Sequence, residues 1–141
     1  MQCLILAGGL GTRMQSASEH VPKTLIPVNG APFAHHQLTW LRNQNIRRVV
    51  YSLGHMASQV MENVGDGSRW EIDVRYVDEG ASPIGTGGAV RLAVDKGVMD
   101  EGFFVLYGDS YLSVDFAAVW AASSEGQFPV MTVLANEGRW D

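Results

Sequence analysis

The strongest constraint in this chain is a rhythm: short apolar runs alternate with segments of helical length from one end to the other. Gln2–Ala7 reads as a buried strand, and Arg47–Leu53 is β-branched, apolar and short, as a strand should be. Glu71–Val77 sets Ile72, Val74 and Tyr76 against Glu71, Asp73 and Arg75, the alternation of a strand with one open face. Phe103–Tyr107 reads as a further buried strand and Pro129–Ala135 as the last. Between them lie helical patterns. Phe33–Gln44 carries Phe33, Leu38, Trp40 and Leu41, His55–Val64 carries Met56, Val60, Met61 and Val64, and Gly88–Lys96 and Val114–Ser123 complete the set. Strands joined by crossovers long enough to hold a helix cannot be hairpins. They imply an α/β fold with a mainly parallel sheet covered on both faces, an α/β/α sandwich of three layers.

Size and charge narrow the function. A chain of 141 residues suits one domain, and at that length roughly 68–70% of the unfolded surface is buried on folding. The single cysteine, Cys3, excludes an internal disulfide and a cysteine-based zinc cluster. Four scattered histidines without HxxxH or HExxH spacing argue against a zinc hydrolase. Ten basic against fifteen acidic side chains leave a net charge of −5, the wrong sign for non-specific nucleic-acid binding. No apolar run approaches membrane-spanning length, and Leu4–Ala7 lacks the basic flank of a signal peptide. A cytoplasmic protein without membrane or nucleic-acid partners is the expectation.

In a parallel sheet, ligands bind beyond the carboxyl ends of the strands, near the point where strand order reverses. Three informative segments follow strands here. In the first, Leu6-Ala7-Gly8-Gly9-Leu10-Gly11-Thr12-Arg13, three closely spaced glycines let the backbone bend and bring bare N–H groups against a ligand. Alone, they would fit a structural turn as well as a phosphate cradle. Arg13 beside them shifts the balance, because a fork of donors next to an anion nest suits phosphate. Familiar glycine motifs fail: GxGxxG read from Gly9 would need glycine at Met14, no acid closes the second strand for a ribose, and Walker A lacks its GK[ST]. A dinucleotide-dependent dehydrogenase is therefore the weakest candidate.

The other segments add charge. Val21-Pro22-Lys23-Thr24-Leu25-Ile26-Pro27 places one of only two lysines between stiffening prolines, although a solvated surface lysine is an equal reading. Ile84-Gly85-Thr86-Gly87-Gly88-Ala89 opens a helix with glycines whose N–H groups can receive oxygens; close helix-on-sheet packing, with Thr86 as the N-cap, is its rival. Phe103–Tyr107 delivers Gly108-Asp109 to the ligand edge. A carboxylate beside a phosphate loop makes sense with a cation between them, and Mg²⁺ needs few protein carboxylates. An ordinary aspartate turn is the alternative. Asp66, Asp78 and Glu79 read as solvated or turn carboxylates, though Glu79 leads into the third loop.

Taken together, LAGGLGTR, PKTLIPVNGAPF, GTGGA and LYGDS resemble the sugar-phosphate nucleotidyltransferases in order and spacing, over the nucleotide-binding half of that family. The wording looks most like the guanylyltransferases acting on D-glycero-D-manno-heptose 1-phosphate, with mannose 1-phosphate enzymes next. The resemblance implies a Rossmann-like sheet, an NTP and a sugar 1-phosphate as substrates, and Mg²⁺ as cofactor. It further implies that Gly8, Gly9 and Gly11, with Leu6, Ala7 and Thr12, line the nucleotide, and that Arg13 grips the departing pyrophosphate. Lys23 would bridge the two phosphates, Gly87 would meet the base, and Asp109 would hold the metal; Glu79 or Ser82 could help read the base. Family members continue past the stretch matched here, with sugar-holding segments and a second acidic metal ligand. Residues 1–141 are thus expected to form one nucleotide-binding domain, truncated or naturally short and completed by a partner. An exposed Pro129–Ala135 edge would then offer a surface for pairing copies of the chain.

Overall fold

The computed structural model describes residues 1–9, 21–125, 129–133, 135 and 138, which fall into two compact units, Met1–Tyr111 and Leu112–Asp141. In the first unit the strands are β1 (Gln2–Ala7), the two-residue β2 (Pro27–Val28) and β3 (Ala31–Pro32), β4 (Arg48–Leu53), β5 (Asp73–Asp78) and β6 (Phe104–Tyr107). Its helices are α1 (Phe33–Asn43), α2 (Ala57–Val64) and α3 (Gly85–Asp95). β5, β4, β1 and β6 lie side by side in that order, every neighbouring pair parallel. Ile5 is the hinge of the register, aligned with Tyr51 on one side and Leu106 on the other.

Successive strand residues point to opposite faces, yet Cys3, Leu4 and Ile5 of β1 are all fully buried, as are Val49, Val50 and Tyr51 of β4. Both faces of the sheet are therefore covered, which explains the unbroken apolar runs in these two central strands. On one face Ala93 of α3 packs with Leu4, Val50 and Val77, supported by Leu6, Val90 and Phe103. Burial of this kind stabilises by about 25 cal/mol per Å² of apolar surface. The expected α/β class and mainly parallel sheet are what the chain forms.

Several expectations need correction. The described sheet has four strands, and residues 129–133 and 135 form none. Val130, Met131 and Val133 have strand propensity, but propensity yields a strand only where a partner supplies the ladder and a face to bury; all three are exposed. What is absent among the described residues is the strand expected at Pro129–Ala135. β6, expected to be buried, is an edge: Val105 is 43% and Tyr107 53% exposed, and only Leu106 is buried. α1 buries Ala34, Gln37, Leu38 and Leu41, so its inward stripe runs through a glutamine, while Phe33 and Trp40 lie at the margins. α3 starts three residues earlier than its pattern indicated, which makes Thr86 a first-turn residue and Ile84 the N-cap. The β2–β3 hairpin was not foreseen, although Asn29-Gly30, both at positive φ, is the usual signal for such a turn.

In the second unit the helix α4 spans Phe116–Glu125. Asp115 caps it, its Oδ1 accepting from the N–H groups of Ala117 at 2.9 Å and Ala118 at 3.2 Å. Among the described residues, no helix is long and apolar enough to cross a membrane.

Candidate active site at the strand-order reversal

The chain lays down β1, β4 and β5 in one direction, then crosses back to place β6 on the other side of β1. A crevice opens where the two directions part, beyond the carboxyl ends of β1 and β6. A cleft of about 260 Å³ occupies this position, lined by residues that include Gly8, Gly9, Lys23, Glu79, Thr86 and Asp109. Three of the four stretches singled out from the sequence, and the first two glycines of the fourth, thus converge on one edge.

Each reaches it by a specific local device. Leu6 and Ala7 end β1 and line the cleft with Gly8 and Gly9. A Cβ on Gly8 would overlap the carboxyl of Glu79, which would have to swing aside to admit it. Gly108, from the neighbouring strand, is fixed more firmly, by atoms that cannot turn away. Its N–H donates to the Leu6 carbonyl at 2.9 Å, and a Cβ on it would lie 2.9 Å from Ala7 Cβ. This close approach brings Asp109 up against the β1 loop.

Lys23 opens a single 3-10 turn, Lys23–Leu25, in which Leu25 N–H donates to the Pro22 carbonyl and Ile26 N–H to that of Lys23. Thr24 and Leu25 are buried and anchor the turn. Lys23 itself projects into the cleft, where its Nζ stands 3.5 Å from Asp109 Oδ2. The two side chains are 28% and 49% exposed. An ion pair this wet contributes about 0–1 kcal/mol to stability. Its consequence lies in placement: one positive and one negative group face the same cleft beside bare backbone amides.

Glu79 is the residue whose part in the cleft the sequence reading understated. It follows β5 directly, its N–H donates to the Leu53 carbonyl at 2.7 Å, and its Oε1 accepts from the buried Ser52 hydroxyl at 2.8 Å. The signal was present in its position, one residue past a strand end, the same kind of placement that brings Asp109 to the edge. His55 and Met56 also line the cleft after β4, and Met56 adopts a left-handed backbone with φ of 59°. The sequence pattern reads Met56 as part of a helical stripe and assigns neither residue to the site.

Two groups of expected residues behave differently. Gly11, Thr12 and Arg13 lie outside the described residues. Gly87 lies in the first turn of α3 and is exposed, whereas its neighbours Gly85, Thr86 and Ala89 form the cleft wall. Ser82 is exposed and is not part of the cleft lining.

Among the described residues no three His, Cys, Asp or Glu side chains gather into a ready-made metal cage. Two carboxylates line the cleft: Asp109, half-exposed, and Glu79, whose Oε1 already accepts from Ser52. That donor set suits a hard cation such as Mg²⁺, which takes most of its shell from phosphate oxygens and water, and does not suit zinc.

The chain is also similar to known proteins. The chain is 34% identical over 117 residues to a D-glycero-alpha-D-manno-heptose 1-phosphate guanylyltransferase of Campylobacter jejuni, covering 83% of this chain and 51% of the relative. An enzyme of the same description from Aneurinibacillus thermoaerophilus is also 34% identical, with 82% and 49% covered. The crystal structure of HddC from Yersinia pseudotuberculosis complexed with GMP-PN superposes with a TM-score of 0.75 at 32% identity, covering 86% of this chain and 53% of that one. The chain spans about half the length of these two curated relatives. The model of the nucleotidyl transferase family matches residues 2–138, and the chain belongs to that family.

Proposed function

We propose that residues 1–141 act as the nucleotide-binding part of a sugar-1-phosphate nucleotidyltransferase, joining an NTP and a sugar 1-phosphate into an NDP-sugar and pyrophosphate. The observation that carries this reading is the Lys23 ammonium 3.5 Å from the Asp109 carboxylate, beside the Gly8-Gly9 amides at the strand-order reversal. A polyphosphate needs cationic and amide donors, and a carboxylate among them needs a metal partner.

In this reading an oxygen of the sugar 1-phosphate attacks the α-phosphorus of the NTP in line. The new P–O bond forms as the bond to the pyrophosphate oxygen breaks, and pyrophosphate leaves. Gly8, Gly9 and Gly11, flanked by Leu6, Ala7 and Thr12, cradle the nucleotide, and Arg13 takes the departing pyrophosphate oxygens. Lys23 bridges the α-phosphate and the incoming phosphate, and Gly87 meets the base through its backbone. Asp109 would hold Mg²⁺, which when bound neutralises phosphate charge. Positioning and charge neutralisation carry such a transfer, so it needs no general base with a tuned pKa.

GTP with heptose or mannose 1-phosphate is the pairing favoured here, because the relatives named above are guanylyltransferases. Glu79 supports the choice chemically. Its carboxylate offers only acceptors, complementary to the adjacent N1–H and N2–H donors of guanine. A cytoplasmic location belongs to the same reading.

The test is pyrophosphate release by the full chain from GTP, UTP, CTP or dTTP with a panel of hexose and heptose 1-phosphates and Mg²⁺. Turnover is expected with GTP, and Arg13→Ala or Asp109→Ala should remove most of it while the fold stays intact. Wild-type rates in both variants would refute the site. Binding of GTP without turnover on any sugar phosphate would instead favour a non-catalytic or partner-completed nucleotide module.

A further inference from the structure

We propose that Gln37 is a positioning residue that holds Asp109 opposite Lys23; the inference rests on the nucleotide-binding reading of the cleft above. Gln37 sits in the second turn of α1, on its inward stripe, and is completely buried. Its Nε2 donates two hydrogen bonds, to the Tyr107 and Ser110 carbonyls, each at 3.0 Å. Two carbonyl acceptors can be met only by the NH₂ end of an amide, so the side chain's orientation follows from its surroundings.

Those two carbonyls bracket Gly108-Asp109. Ser110 N–H also donates to the Tyr107 carbonyl at 3.2 Å, which closes Tyr107–Ser110 into a β-turn with Asp109 as its third residue. One side of the turn is tied to β1 through Gly108 and the Leu6 carbonyl. Gln37 ties the other side to α1. The same helix holds the lysine segment at its first residue, where Phe33 N–H donates to the Ile26 carbonyl at 3.0 Å. α1 is thus a common brace for both partners of the 3.5 Å ion pair, and Gln37 is its link to the carboxylate.

Apolar packing alone would not select this residue. Gln37 Oε1 is buried and finds no hydrogen-bond partner among the described residues, a cost that leucine or methionine at the same place would not carry. An amide here is accounted for by what its NH₂ holds.

The test compares the full wild-type chain with Gln37→Met, which keeps volume and removes the donors. Two quantities are measured: Mn²⁺ affinity at saturating GTP, by electron paramagnetic resonance, and GTP affinity in EDTA, by calorimetry. We expect Mn²⁺ affinity to fall about tenfold while metal-free GTP affinity changes less than about twofold, because the turn is loosened and the amide loop is not. The effect should vanish in an Asp109→Asn background. Unchanged Mn²⁺ affinity in a folded Gln37→Met, or an undiminished effect without Asp109, would overturn the assignment. Should Gln37→Met not fold, the wild-type Gln37 side-chain amide resonances decide. They should shift when Mg²⁺ is added to the GTP complex, and no shift refutes the link. A wild-type chain that binds no GTP refutes the nucleotide reading itself, a distinct outcome.

Discussion

Gly108→Ala probes the contact on which the cleft is built. The added methyl carbon would stand 2.9 Å from Ala7 Cβ and 3.3 Å from the Leu6 carbonyl oxygen. Saturated carbons pack at about 3.5–4.0 Å. Ala7 Cβ is bonded directly to the β1 backbone, so no rotamer change relieves the overlap and one strand end must move. Overpacking of this kind costs about 1–3 kcal/mol. Taking about 2 kcal/mol, and an unfolding entropy near 2.1 cal/mol/K per residue, the melting point of a 141-residue chain should drop by about 7 °C.

A companion substitution separates this cause from a general dislike of change. Ala7→Gly removes the opposing carbon and by itself costs about 0.5–1 kcal/mol in chain entropy, roughly 2–3 °C. In the double variant Gly108→Ala loses its clash, so the pair should melt only about 2–3 °C below wild type. Independent effects would add to roughly 9–10 °C. Differential scanning calorimetry of the four proteins reads the difference directly. A Gly108→Ala melt within about 1 °C of wild type, or an additive double variant, would refute the close-approach argument.

Glu79→Gln should weaken GTP binding about ten- to a hundredfold, the range for losing a hydrogen bond to a charged group, and narrow the preference for GTP over dTTP in competition assays. An unchanged ratio would remove Glu79 from base recognition. Alkaline pH should unfold the protein through its tyrosines. Burial pushes Tyr76 up to about 12, with the nearby Asp66 charge adding to it, and the fully buried Tyr51 is also raised by burial. An unfolded tyrosine ionises near 10, so the unfolded chain binds fewer protons than the native one above that pH. Their contribution is complete below about pH 10 and is lost as pH climbs toward 12. Phenolate absorbance at 295 nm should show Tyr51 ionising together with loss of the circular dichroism signal; its free titration in the folded protein would contradict its burial.

Much of the architecture could be read from periodicity because the periodicity is a burial pattern. β1 and β4 are buried on both faces and read as continuous apolar runs. β5 alternates over its first half because Asp73 and Arg75 face solvent on either side of the buried Val74. Boundaries moved where backbone geometry intervened: α2 begins at Ala57 because Met56 turns left-handed, and β5 begins at Asp73 because Glu71 does. Pro129–Ala135 failed because strand propensity says nothing about whether a partner edge is present.

The chain alone determined which local chemistries exist: bare amides after β1, a lysine on a restrained segment, and a Gly-Asp pair at a strand end, each set by residue type and a few neighbours. Tertiary structure alone decided that they meet. The 3.5 Å between Lys23 and Asp109 depends on β6 crossing to the far side of β1, on a glycine slotting against Ala7, and on a buried Gln37 that local patterning marks as an anomaly in an apolar stripe. Glu79 became part of the cleft for the same reason. A carboxylate's surroundings are set by residues tens of positions away, and pairwise spacing along a chain does not encode them.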